Sequence, residues 1–137
     1  MQKTFTILKP DSVKAGHSGA IITRLEQEGF RIRAMKMVHL TRSQAEGFYG
    51  VHKERPFFGS LVAFMTEGPV VMMVLEAESA IEKLRKLMGA TDPAKADAGT
   101  IRKQFATNIE RNAIHGSDSP DSAAYEISYF FNQLEMS

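Results

Sequence analysis

Cysteine and tryptophan are both absent from the 137 residues. Disulfides, thiol nucleophiles and cysteine-held zinc are thereby excluded. Charge of one sign is also scarce: 17 Lys and Arg stand against 16 Asp and Glu, a formal net charge of +1. That balance leaves no broad basic footprint for nucleic acid or an anionic membrane. Any anion must be held by a few basic side chains brought together in folding. Long apolar runs are missing as well. The longest, Val70 to Leu75, falls far short of a bilayer span. The opening MQKTFTILKP has one Lys and no apolar stretch of the signal-peptide kind. These absences read as a soluble, cytoplasmic protein.

What is present suits one domain over residues 1–137. Apolar residues make up 43% and charged residues 24%, an ordinary balance in a chain long enough to bury a core. Thr4 to Leu8 reads as a short strand ended by Lys9-Pro10-Asp11. Ile21, Ile22 and Leu25 share a helical face, and Gly29 suits the C-cap. Phe30 to Leu40 is rich in strand formers. Thr41 with Gln44 matches a capping box opening a helix through Phe48 and Tyr49. Another helix is expected from about Pro56, using Leu61, Val62 and Met65 and broken by Gly68-Pro69. Val70 to Leu75 has the unbroken apolar pattern of a buried central strand. Ser79 with Glu82 matches a second capping box, for a helix buried through Ile81, Leu84 and Met88 and ended by Gly89.

Residues 89–99 read as an irregular loop before a short helix from Thr100 to Phe105. Ile109 to His115 is the last strand candidate. Ser119-Pro120 then opens a helix whose apolar face is Ala123, Ile127, Phe130 and Leu134. Met35, Met37, Met72 and Met73 read as core filling. Strands and helices alternate with a count of four strands. Right-handed crossovers favour an α/β sandwich with helices over one sheet face. The natural small solution is an α+β sandwich of ferredoxin-like form, its four-stranded sheet mostly antiparallel and covered by helices.

Common phosphate signatures are missing. The chain has no GxxxxGKS/T loop, no GxGxxG turn and no protein-kinase catalytic loop. It also lacks a clustered Asp/Glu set for a protein-held metal. A nucleotide enzyme built here needs side chains as its phosphate clamp, with Mg²⁺ carried in by the nucleotide. Of the four histidines, His17, His39 and His52 read as ordinary solvated or half-buried residues. His115 differs, since it ends an apolar strand and precedes Gly116, which permits close backbone approach or a positive φ.

Imidazole suits phosphoryl relay because its neutral form offers one nitrogen as a nucleophile at physiological pH. A carboxylate can hold the proton of the other nitrogen. Glu126, in the final helix, is placed to reach back. Arg85 flanks a buried stripe and Arg102 opens a short helix, both positions from which an arginine can grip phosphate. Lys9, Thr91 and Asn112 have plain readings as a solvated lysine, a loop hydroxyl and a strand-edge amide. Phe57, after Arg55-Pro56, can stack on any base from the surface, while its neighbour Phe58 suits the core. The competing reading is a non-catalytic module that binds nucleotides or RNA. An RNA reader of this fold carries exposed aromatics on its central strands, whereas Val70 to Leu75 is wholly aliphatic.

Four blocks occur in order: TILKPD (6–11), YGVHKERPFF (49–58), LMGATDPAKADAGTIR (87–102) and NAIHGSDSPDSAAYEI (112–127). With them the whole chain resembles the nucleoside diphosphate kinases of the short, bacterial kind. The resemblance implies a ferredoxin-like core and ping-pong transfer of a γ-phosphate through His115 Nδ1, with ATP and other nucleoside tri- and diphosphates as substrates, Mg²⁺ as cofactor and little base specificity. By position it implies that Phe57 stacks the base and that Lys9 and Asn112 bond the ribose. Arg85, Thr91 and Arg102 would clamp phosphates, Tyr49 would approach the transferred group, and Ser117 and Glu126 would orient His115.

Two departures are visible. Val51 stands where many relatives carry an acidic residue, and Lys103-Gln104 where many carry Gly-Asp. The resemblance also implies a homo-oligomer. Pro93 falls in the loop that packs at the trimeric interface of the family's hexamers, which favours a hexamer over the tetramer of some bacteria. No membrane or nucleic-acid partner is implied.

Overall fold

A computed structural model describes residues 1–137, the side chain of Val51 excepted. The strands are β1 (Gln2–Leu8), β2 (Arg31–Val38), β3 (Val70–Ala77) and β4 (Ile114–Gly116). The helices are α1 (Pro10–Lys14), α2 (Ser18–Gln27), α3 (Arg42–Phe48), α4 (Phe58–Met65), α5 (Ala80–Met88), α6 (Ile101–Phe105) and α7 (Pro120–Phe130). The sheet order is β2-β3-β1-β4, and each neighbouring pair is antiparallel. β1 and β2 therefore run parallel with β3 between them, the split arrangement of a ferredoxin-like fold. No helix among the described residues is long and apolar enough to cross a membrane.

Both faces of the sheet are buried, not one. Leu8, Met73 and Leu75 join Ile21, Leu25, Leu84 and Ile101 in one core. Phe5, Ile7, Met72 and Val74 join Phe48, Met65 and Phe131 in another. Strand residues alternate between faces, so an unbroken apolar run such as Val70 to Leu75 signals a strand covered on both sides. The methionines divide in the same way. Met72 and Met73 are fully buried on central β3, whereas Met35 and Met37 on edge strand β2 are 53% and 61% exposed.

Local chemistry sets most boundaries. α2 ends in a Schellman motif, with Phe30 N–H on Leu25 C=O, Gly29 N–H on Glu26 C=O, and Gly29 at φ +93°. Thr41 and Gln44 bond reciprocally at 3.1 and 2.9 Å to cap α3. Ser119 and Ser122 do the same for α7, with Pro120 at the first helical position.

Three expectations need correction. Ser79 makes no capping bond, because it sits in the left-handed region at φ 49°. The Gln2 side chain accepts the Ile81 N–H instead, at 3.0 Å. β4 begins at Ile114 rather than Ile109. Asn108 Oδ1 turns the preceding segment by accepting the Glu110 and Arg111 N–H groups, and Ala113 at φ 76° interrupts any extended run. α7 stops at Phe130, and Leu134 lies beyond it, 96% exposed, in a short 3₁₀ turn.

Gly116 serves close approach, since it is absent from the positive-φ positions. A methyl group added there would stand 2.6 Å from Met88 Sδ and 3.1 Å from Leu84 Cδ2. Gly116→Ala is therefore expected to lower the unfolding free energy by about 1–3 kcal/mol, as overpacking usually does. Urea unfolding followed by circular dichroism measures it.

Candidate active site

The cleft opens at the end of the sheet where Lys9 follows β1 and Ile114 starts β4, so loops and helices from both layers converge there. Its volume is about 490 Å³. His115 is on β4 and pairs with Ile7, which puts its ring on the Phe5 face of the sheet. The Thr6 hydroxyl donates to its carbonyl at 2.6 Å. Phe48 meets the ring edge-on, centroids 5.5 Å apart.

His115 Nε2 lies 2.7 Å from Glu126 Oε1 on α7. The Ser117 hydroxyl donates to that same oxygen at 2.8 Å, from a fully buried position. A carboxylate accepts, so Nε2 carries the hydrogen and the lone pair is left on Nδ1. Nδ1 has no hydrogen bond among the described residues.

Three basic groups, Lys9, Arg85 and Arg102, line the same cleft. Arg85 Nη1 donates to Gly116 C=O at 3.2 Å, which ties α5 to the residue after His115. Arg102 is 7% exposed and donates to three backbone carbonyls: Ile114 at 2.7 Å, Gly89 at 3.2 Å and Asn112 at 3.3 Å. Burial, then the charge of Arg85, pushes its guanidinium down to about 10. Lys9 is equally buried, contrary to its plain reading as a solvated lysine. Its Nζ donates to Asn112 Oδ1 at 2.7 Å. Burial, with Arg102 nearby, pushes the Lys9 ammonium down to about 8, although Asp11 and Glu110 pull the other way. Asn112 is buried rather than a strand-edge amide.

Tyr49 follows α3 into the cleft wall. Its hydroxyl is buried and has no partner among the described residues. Burial, reinforced by Glu126, raises its pKa well above the usual tyrosine value. Thr91 is exposed at the mouth, and Phe57 is 48% exposed at the rim. Phe58 packs partly against the core.

Every residue singled out from the sequence thus lines the cleft, except Ser117, which supports Glu126 from behind. His52 and Asp118 line the cleft too, although neither was singled out as a site residue. His52 is half-buried, within its plain reading, and its ring stands 5.7 Å from that of Phe57. Asp118 bonds the Ser122 hydroxyl at 2.8 Å, which lowers its pKa, with Arg85 and His115 adding to the effect. Its place in the block HGSDS was the available signal. Val51 lies outside the described residues as a side chain, and neither Lys103 nor Gln104 lines the cleft. No group of three or more His, Cys, Asp or Glu able to hold a metal occurs among the described residues.

Residues 2–136 match the family model described as nucleoside diphosphate kinase. The chain belongs to the nucleoside diphosphate kinase family. It is 61% identical over 136 residues to the nucleoside diphosphate kinase of Desulfosudis oleivorans, covering 99% of this chain and 98% of that one. The nucleoside diphosphate kinase of Trichlorobacter lovleyi is 60% identical, with 99% of each chain covered. Among solved structures, the Aquifex aeolicus nucleoside diphosphate kinase superposes with a TM-score of 0.97 at 49% identity, covering 99% of both chains. The Halobacterium salinarum nucleoside diphosphate kinase, solved in complex with CDP, gives 0.96 at 40% identity, covering 99% of this chain and 91% of that one. Phosphotransfer between nucleotides is the activity of nucleoside diphosphate kinases, and this chain is one of them. A cleft lined by Lys9, Arg85, Arg102 and His115 together has the cationic character such a reaction requires.

Proposed function

We propose that His115 carries the phosphoryl group in a ping-pong exchange between nucleotides. Nδ1 attacks the γ-phosphorus of a nucleoside triphosphate, the bond to the bridging oxygen breaks, and a nucleoside diphosphate leaves. A second diphosphate takes the group from Nδ1 by the reverse path. One observation carries this reading: Glu126 holds Nε2 at 2.7 Å, so the lone pair of the neutral imidazole falls on Nδ1, in a cleft that Lys9, Arg85 and Arg102 also line.

Arg85, Thr91 and Arg102 neutralise and hold the phosphates. Lys9 and Asn112, already bonded to each other at 2.7 Å, meet the ribose. The unpartnered Tyr49 hydroxyl donates to the transferred group. Because the transition state is loose, positioning and charge neutralisation supply most of the acceleration. Phe57 offers a π-face at the rim, which favours any base almost equally.

Asp118 and Glu126 are the carboxylates lining the cleft, and each already accepts a hydrogen bond from a serine hydroxyl. This donor set fits a Mg²⁺ held mainly by nucleotide oxygens and water. When bound, Mg²⁺ neutralises charge on the β- and γ-phosphates.

The proposal extends to a single cytoplasmic domain that needs no nucleic acid, and to a homo-oligomer, a hexamer before a tetramer. The exposed Met35 and Met37 on edge strand β2 support self-association. Light scattering of the purified protein distinguishes the two assemblies.

Incubation with γ-radiolabelled ATP is expected to leave acid-labile, alkali-stable phosphate on the protein, which GDP or CDP then removes as triphosphate. Exchange without any labelled protein would refute the covalent route.

Lys9 gives a pH signature. Its charge is full below about pH 8 and is lost above it, so kcat/KM is expected to fall as pH rises through about 8. Stability moves oppositely. Between about 8 and the ordinary 10.5 the unfolded chain holds the Lys9 proton more tightly, so folding gains as pH rises. Rate profiles and denaturant unfolding over the same pH range test both signs.

A further inference from the structure

We infer that Asp11 is a positioning residue, whose bond to a strained Ala113 sets the aim of His115. This rests on the reading of His115 as phosphate carrier.

Ala113 is fully buried and holds φ +76°, a region that alanine rarely adopts. Its peptide groups are gripped by the turn that opens α1. Asp11 Oδ2 accepts the Ala113 N–H at 3.0 Å. The Ala113 carbonyl accepts from Lys9 N–H at 2.9 Å and from the Ser12 hydroxyl at 2.8 Å. Strain of this kind persists only where surrounding groups over-determine it.

For stability alone the arrangement is poor. The second oxygen, Asp11 Oδ1, is buried with no partner among the described residues. A buried carboxylate oxygen without a bond is disfavoured. What the arrangement achieves is direction. The turn at Ala113 separates Asn112, whose side chain meets Lys9, from Ile114 and His115, which enter β4. Relaxing φ at Ala113 to a negative value would rotate these neighbours apart. Asp11 also contributes charge, since it raises the Lys9 pKa against the effect of burial. The hydrogen bond and the charge are separable by substitution.

Single-turnover labelling of His115 from saturating γ-radiolabelled ATP reads the aim directly, on protein shown to be folded by circular dichroism. Asp11→Ala is expected to slow phosphohistidine formation by about 10²-fold, the scale of an ångström-sized misplacement. Asp11→Asn keeps an acceptor for the Ala113 N–H, so it is expected to stay within about tenfold of the parent. Adding Ala113→Gly to Asp11→Ala is expected to recover most of the loss, because glycine adopts φ +76° without a clamp.

Parental labelling by Asp11→Ala overturns the inference. So does an Asp11→Asn protein as slow as Asp11→Ala, or a double variant that recovers nothing. If Asp11→Ala does not fold, Asp11→Asn and the double variant decide by the same criteria. Failure of the His115 reading is distinct, because the parent protein would then take no label.

Discussion

Replacing His115 with alanine is expected to abolish labelling from γ-radiolabelled ATP and to lower exchange on the order of 10⁶-fold, the scale on which covalent catalysts lose rate with their nucleophile. No nearby group can substitute. The Ser117 hydroxyl is fully buried and committed to Glu126 at 2.8 Å. Tyr49 has a pKa raised by burial, so its oxygen stays protonated and weakly nucleophilic. Lys9, pushed down to about 8, is the nearest rival, but its Nζ already donates to Asn112 at 2.7 Å. The fold should survive, since His115 is only half-buried and its backbone pairing with Ile7 does not depend on the ring. Unfolding free energy is expected to change by about 1 kcal/mol, the typical cost of one hydrogen bond, as Nε2 leaves Glu126. Acid-quench labelling, coupled exchange rates and urea unfolding measure the three quantities. An alanine variant that exchanges at the parental rate would sink the assignment.

Local signals carried much of this site in the sequence. The capping box at Thr41 and the Ser119-Pro120 helix start fix where α3 and α7 begin, and α7 carries Glu126 to His115. The block around His115 was legible because strand, glycine and helix start are all written locally. What was hidden depends on distant partners. Lys9 looks solvated until Asn112, 103 residues later, is seen to bury and bond it. Ser79 matched a capping pattern, yet Gln2 from β1 supplies the cap. The end of α7 and the short β4 are set by Asn132 and Asn108 side chains closing turns, which override apolar periodicity. The two-sided sheet was foreshadowed in the unbroken run of β3, but which helices cover which face needs the crossovers themselves.

Arg102 provides the sharpest test of how structure and chemistry are joined. Its guanidinium spans Gly89 in the loop after α5, Asn112 beside Lys9, and Ile114 beside His115. Arg102→Ala is expected to lower kcat/KM by about 10³-fold, the upper range for losing one preorganised donor. It should also lower the unfolding free energy by about 2–4 kcal/mol, less than three charge-assisted bonds at about 1.5–3 each, because water reaches the vacated carbonyls. Arg102→Lys keeps a charge but has no planar fork, so one ammonium cannot reach three carbonyls in different directions. It should recover less than about a tenth of the lost rate. The pH profile separates charge from geometry. Arg102 lowers the Lys9 pKa, so its removal in Arg102→Ala moves the alkaline limb above pH 8. In Arg102→Lys the charge remains, and the limb should stay near 8 although the rate is low. A limb that stays near 8 in both variants would mean that the Lys9 charge does not set it.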